Sequence, residues 1–286
     1  MRQAQGADGL SSMIDLHCHL LPGIDDGSES LQMSFDMARI ALADGMTHTA
    51  CTPHIYPGVF PNERADICRR ARQLQEQLRD NDIALEITHG ADIQIVPELL
   101  HGLRSGHMAT INDTRYFLLE PPHFAVPTRF AEIIDDVLAA GYVPLITHPE
   151  RLSWLDEAHY PWFVDAAYEG AWIQLTADAV VGRFGKEAKR WSERFLGDGL
   201  VHVLASDGHD PRRRPPVMSA GRRAAERWVG AAEAERLVLE RPRAVLANAD
   251  PLSVTPPPAL VDEADELYGP PQRTSGGLAG LFRRLF

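Results

Sequence analysis

Short apolar runs rich in β-branched residues alternate with longer segments of helical periodicity along most of this chain. That is the pattern of repeated βα units and a mainly parallel sheet. Seven runs fit strands, at 13–17, 47–51, 84–89, 116–119, 143–147, 172–175 and 201–205, with helices expected between them at 30–43, 63–79 and 128–140 among others. Gly45, Gly141, Gly170 and Gly199 each follow a helical stretch and precede a strand, where a left-handed cap carries little steric cost.

The pattern fades after Asn248. Thr255-Pro256-Pro257-Pro258 opens a Pro-, acid- and Gly-rich stretch with little to bury, so 249–286 reads as a linker and a short amphipathic tail. In that tail, residues 278–286 set apolar groups beside Arg283 and Arg284, and could dock on a membrane or a partner; the plainer reading is a frayed end. Residues 1–12 read as a disordered start, which leaves 13–248 as the folded unit.

A length of 286 residues suits one large α/β barrel or two small domains, and 44% hydrophobic residues allow a substantial core. The formal net charge of −12 speaks against a nonspecific hold on nucleic acid, whose phosphates are bound mainly by clustered Lys and Arg. Three scattered cysteines, Cys18, Cys51 and Cys68, are too few for a disulfide framework or a thiolate zinc site, so the cytoplasm is the expected compartment. No apolar run approaches the roughly 18 residues of a membrane span, and residues 1–12 lack the features of a signal peptide.

Chemistry collects at the strand ends. The first run ends in His17-Cys18-His19, the second in Thr52-Pro53-His54, the third in Gly90-Ala91-Asp92, the fourth in Glu120, the fifth in His148 and the seventh in Ser206-Asp207-Gly208-His209. In a (β/α) barrel the carboxyl ends of the strands share one face, so these residues converge. Residues i and i+2 of a strand point the same way, which lets His17 and His19 bind one metal while Cys18 faces away, and the spacing recurs in Asp207 and His209. A lone His-x-His is more often chance, and a carboxylate after a strand can merely cap the next helix. Their joint occurrence points to metal, because burying so many ionisable groups together is prohibitive without a cation. Imidazole with carboxylates suits Zn, Fe or Mn, and a set this large suggests more than one ion.

The remaining histidines, His48, His89, His101, His107, His123, His159 and His202, fit no strand end. His123 is held open, because Pro121-Pro122-His123-Phe124 follows Glu120 in a loop that would overhang the site. Arg151, in His148-Pro149-Glu150-Arg151, and Arg214 lie beside the proposed ligands, where a planar guanidinium matches phosphate oxygens. Arg212 and Arg213 read instead as surface charge.

These segments resemble the polymerase-and-histidinol-phosphatase (PHP) superfamily, and within it the capsular-polysaccharide type of bacterial protein-tyrosine phosphatase. The resemblance spans 13–248. It is carried by Met13-Ile14-Asp15-Leu16-His17-Cys18-His19-Leu20-Leu21-Pro22-Gly23-Ile24-Asp25-Asp26-Gly27, Ala50-Cys51-Thr52-Pro53-His54, Ile146-Thr147-His148-Pro149-Glu150-Arg151, Val203-Leu204-Ala205-Ser206-Asp207-Gly208-His209 and Arg214-Pro215-Pro216. It implies an α/β fold of the PHP type, a distorted (β/α)7 TIM-like barrel, holding two or three divalent ions, manganese foremost, with iron or zinc as alternatives. By position, His17, His19 and Asp207 would hold one ion with Asp92 as a bridge, Asp92, Glu120 and His148 a second, and Asp26, His54 and His209 a third. Arg151 and Arg214 would contact phosphate. Asp92 stands where the family usually carries glutamate, one methylene longer.

The implied reaction is hydrolysis of phosphotyrosine on a protein, a bacterial tyrosine kinase of polysaccharide export, by direct attack of water on phosphorus. The alternative phosphatase strategy uses a nucleophilic cysteine with an arginine six positions later, and those positions hold Ile24, Pro57 and Leu74. Two other readings stay open: a small-molecule phosphatase of the histidinol-phosphate kind, and an inactive regulatory barrel, hinted at by Asp92 alone.

Overall fold

The computed structural model describes residues 12–261. Strands β1 (Met13–Cys18), β2 (Met46–Cys51) and β4 (Glu86–His89) form one parallel sheet in the order β1-β2-β4. A second parallel sheet runs β3 (His54–Ile55), β5 (Asp92–Gln94), β6 (Tyr116–Glu120), β7 (Val143–Thr147), β8 (Trp172–Thr176) and β9 (Val203–Ala205). The chain is therefore an α/β fold with parallel sheets, as expected, but the second and third runs each break and resume as a short strand. The breaks fall at Thr52-Pro53 and Gly90-Ala91. Across them Thr52 N donates to Cys18 O (2.9 Å), Gly90 N to Cys51 O (2.9 Å) and Asp92 N to Pro53 O (3.1 Å), so pairing steps from one sheet to the other.

The first and last strands also meet. Cys18 bridges Gly208 in parallel, His19 N donates to Gly208 O and Asp207 N to His17 O, both at 2.8 Å. Below them the buried Asp15 carboxylate accepts from Ser206 N (3.0 Å), Ser206 Oγ (2.5 Å) and His17 N (3.1 Å). Helices α1 (Leu31–Ala43), α2 (Arg64–Asp80) and α4 (Phe130–Ala139) lie within two residues of their expected bounds; the short α3 (Leu99–Ser105) was not foreseen. Ser30 caps α1 by accepting from Met33 N at 3.3 Å.

Period-two alternation sorts each strand's side chains into two cores. Phe117, Leu119, Ile146, Ile173, Leu175 and Leu204 join the larger core with the helices, whereas Tyr116, Leu118, Val143, Leu145, Trp172 and Val203 join a smaller one. Followed toward the strand ends, the smaller-core column turns polar while staying buried: Glu120 follows Leu118, Thr147 follows Leu145, and Gln174 and Thr176 follow Trp172. Strand β1 needs a correction to join in. Ile14 and Leu16 lie in the smaller core, yet Cys18 packs in the larger, and the register against β2 shifts between Asp15 and Cys18. Such an irregularity re-aims side chains, and it turns His17 and His19 to the polar column.

Behind the sheets, Arg241 is 1% exposed and staples the C-terminal segment to the body. Its Nη1 pairs with Glu233 Oε1 (2.6 Å) and its Nε donates to Thr255 O (2.9 Å). The start of the expected linker is thus laid against the protein: Pro257 is buried, Ala259 N donates to Gly199 O (3.1 Å) and Tyr168 Oη to Ala259 O (3.1 Å). Proline-rich composition hid this, because the segment is held by single backbone hydrogen bonds and the scattered apolar contacts of Val254, Ala259 and Leu260 rather than by a periodic stripe. The expected disordered start, Ser12 apart, and the apolar tail at 278–286 lie outside the described residues. Among the described residues no helix is long and apolar enough to cross a membrane.

Replacing Glu233 with alanine strands the Arg241 guanidinium in the interior, an uncompensated charge worth about 3 kcal/mol or more. The melting temperature of the Glu233→Ala protein should fall by roughly 6–12 °C; an unchanged melting curve would refute the staple.

Candidate metal centre

His17 and His19 are fully buried, and each imidazole is oriented from behind. His17 Nδ1 donates to Gln174 Oε1 (2.8 Å) and His19 Nδ1 to Asp25 Oδ2 (2.7 Å). Their Nε2 atoms consequently face each other at 3.2 Å, across a gap that only a proton or a cation can fill. Asp207 Oδ1 stands 3.4 Å from both, and Asp92 Oδ2 3.4 Å from His17 Nε2.

Asp92 Oδ2 is the hub. It is buried and accepts no hydrogen bond, yet His54 Nδ1 lies 3.5 Å away and His148 Nε2 3.8 Å away, besides His17. Glu120 completes this side, with Oε2 3.3 Å from His54 Nδ1 and Oε1 3.9 Å from His148 Nε2. On the other side Asp26 Oδ1 lies 3.4 Å from His54 Nε2 and 3.5 Å from His209 Nε2, and the His209 ring is 3.8 Å, centroid to centroid, from that of His19. All nine expected donors are brought together. The grouping is tighter than position alone implies: His19 reaches the Asp26–His209 side and His54 also faces Asp92 and Glu120.

These separations exceed most hydrogen bonds. Those of 3.2–3.4 Å match ligands sharing an ion, since two donors about 2.1 Å from one metal stand roughly 3.0–3.4 Å apart, while the 3.8 and 3.9 Å separations of His148 lie beyond that range. The orphaned Asp92 oxygen and the facing Nε2 pair therefore fit a divalent cation.

Electrostatics show the same demand. Burial alone would lower the His17 imidazole, but Asp92 and Asp207 push it up to about 9. His54, buried as well, is pushed up to about 10 by Glu120, Asp92 and Asp26. His148 and His209 go the other way, to about 4: burial disfavours their charge, with Arg151 adding to it at His148 and His19 at His209. Despite burial, Arg214 and Arg151 hold Asp207 well below the usual carboxylate range.

Arg151 Nη1 and Arg214 Nη2 both pair with Asp207 Oδ2, the latter at 2.5 Å. Each guanidinium also lies over the Phe184 ring, 4.3 Å and 5.8 Å from its centroid. Arg212 and Arg213 are exposed. His148 (φ 37°) and Asp207 (φ 51°) adopt left-handed backbone, a strained choice for non-glycine residues that clusters at functional sites.

Sequence reasoning missed Asp25, Gln174 and Phe184. Asp25 lay in a quoted motif, and its turn is enforced by Gly27, where a Cβ would come within 2.3 Å of His19 Cβ. Gln174 was legible as the polar residue inside an apolar strand. Phe184 gave no signal. Of the unassigned histidines, His202 is structural, accepting from Ile173 N (3.1 Å) and stacking on Trp172, while His89 and His159 pair with Asp113 and Asp156. His123 alone among them reaches the centre, with Nε2 3.4 Å from Glu120 Oε1.

The model of the family "Capsular polysaccharide synthesis, CpsB/CapC" matches residues 13–247. The tyrosine-protein phosphatase YwqE of Bacillus subtilis is 37% identical over 202 residues, covering 71% of this chain and 79% of the relative. The tyrosine-protein phosphatase CpsB of Streptococcus pneumoniae is 29% identical over 246 residues, covering 82% of this chain and 99% of the relative. A solved chain from the crystal structures of YwqE and CpsB, described as unique metal-dependent tyrosine phosphatases, is similar with a TM-score of 0.78 and 33% identity. It covers 83% of this chain, which spans 96% of the solved one.

Asp25 accepts from His19 Nδ1 (2.7 Å) on the side away from the cluster and also from His54 N (3.1 Å) and Gly27 N (3.0 Å), so its removal tests the support given to this side of the donor set. Asp25→Ala should weaken divalent-metal affinity about 10–100-fold, as loss of such outer partners does elsewhere. Chelator competition against the wild type measures it, and equal affinities would show that His19 needs no such support.

Proposed function

We propose, from the premise that this chain belongs to the CpsB/CapC family of capsular polysaccharide synthesis, that it is a metal-dependent phosphatase acting on phosphotyrosine in proteins. The observation that carries this reading is the convergence of nine imidazole and carboxylate donors beside two arginines that share one carboxylate oxygen. We assign His17, His19 and Asp207 to one ion with Asp92 as a bridge, Asp92, Glu120 and His148 to a second, and Asp26, His54 and His209 to a third. The mixed donor set suits manganese, iron or zinc. Bound ions of this kind supply an activated water near neutral pH and stabilise charge on the leaving oxygen.

The chain's own residues do the rest. Arg151 and Arg214 stand on Asp207 with their guanidinium planes against Phe184, ready to exchange that carboxylate oxygen for phosphate oxygens. Gln174 and Asp25 keep the imidazole protons of His17 and His19 on Nδ1 and the lone pairs on Nε2. A cavity of about 500 Å³ bordered by His123, Phe124, Arg151 and Phe184 offers the tyrosyl ring a way in. Two features support reading the two sheets as one distorted barrel of seven βα units: the hydrogen bonds that step across Thr52 and Gly90, and those joining β1 to the end of β9. The substrate we assign is the phosphotyrosyl segment of a bacterial tyrosine kinase of polysaccharide export. We place the reaction in the cytoplasm, in keeping with three buried, unpaired cysteines.

Activity on a phosphotyrosyl peptide should vanish on chelation, return with added metal and survive thiol alkylation. An enzyme killed by alkylation but indifferent to chelator would overturn the scheme. His148→Ala, with folding intact, should lower turnover about 100-fold or more, since even outer partners of a metal cost 10–100-fold. Faster turnover of histidinol phosphate than of the peptide would reassign the substrate to a small molecule.

A further inference from the structure

His123 lies on a loop rather than at a strand end, and its placement is nonetheless closely specified. Pro121 and Pro122 carry the chain stiffly away from Glu120. The loop backbone is then fastened: Ser153 donates from both N (3.0 Å) and Oγ (2.8 Å) to His123 O, and Trp154 Nε1 donates to Pro122 O (2.8 Å). Both anchors lie just beyond the His148-Pro149-Glu150-Arg151 segment, so one short stretch positions His148 and the loop together.

The imidazole that results faces the cluster. His123 Nε2 is 3.4 Å from Glu120 Oε1, its ring centroid is 5.0 Å from that of His148, and the donor atoms of all three residues lie within 4.8 Å of one another. A separation of 3.4 Å is long for a hydrogen bond but right for two ligands on one ion. The side chain is 26% exposed and borders the cavity that holds Phe124 and Phe184, so it meets the cluster from the solvent side.

We propose that His123 is a tenth metal donor, borne on a loop, that closes over the ion held by Glu120 and His148 from the side on which substrate enters. This role presupposes the metal-dependent reading above.

The test compares wild type, His123→Ala and Phe124→Ala after metal removal, each titrated with cobalt(II) and followed by visible absorption and calorimetry. Phe124 is a neighbouring, 90% exposed control. His123→Ala should weaken one class of site about tenfold or more and alter the cobalt spectrum, while Phe124→Ala should match the wild type. Identical isotherms and spectra for His123→Ala and wild type would overturn the assignment and leave the metal-dependent reading standing. A wild type that binds no cobalt would overturn both.

Discussion

A carboxylate oxygen with no hydrogen-bond donor, buried among imidazoles, is the constraint around which this protein is arranged. Leaving such an oxygen unpaired in a protein interior is unfavourable unless a cation answers it. Asp92 Oδ2 has three imidazole nitrogens at 3.4–3.8 Å. The fold bears this because the apolar lower halves of the strands build a core first and confine the polar residues to one end. The register shift in β1 and the break before Asp92 are local irregularities whose effect is to bring His17, His19 and Asp92 to that end.

Asp207 joins the two halves of the chemistry. Its Oδ1 faces His17 and His19, and its Oδ2 carries both arginines. The histidine cluster and the arginine pair therefore share a single side chain in left-handed backbone, held by the Asp207 N to His17 O bond.

Much of this was legible in the chain. Strands were visible because their apolar runs are short and β-branched, and Gly45, Gly141, Gly170 and Gly199 do take positive φ after helices. Eight of the nine clustered donors were visible because strand ends share a face, and Asp26 entered through the family resemblance. What escaped were features fixed by partners far along the chain. The continuations β3 and β5 are two or three residues long and exist only through pairing. Asp25 and Gln174 act on cluster histidines from outside it and Phe184 on the neighbouring arginines, and no periodicity marks such a role. The segment 249–261 looked empty because its anchoring uses isolated backbone hydrogen bonds, one buried arginine and scattered apolar contacts rather than a periodic apolar face.

That anchoring has a geometric consequence. Ala259 is tied to Gly199, Thr255 to Arg241, and Asn248 Oδ1 to Arg115 N, all beside the beginnings of strands, whereas the donors gather where strands finish. Up to Val261, the C-terminal segment therefore keeps to the end of the protein opposite the donor cluster and leaves that cluster's face uncovered.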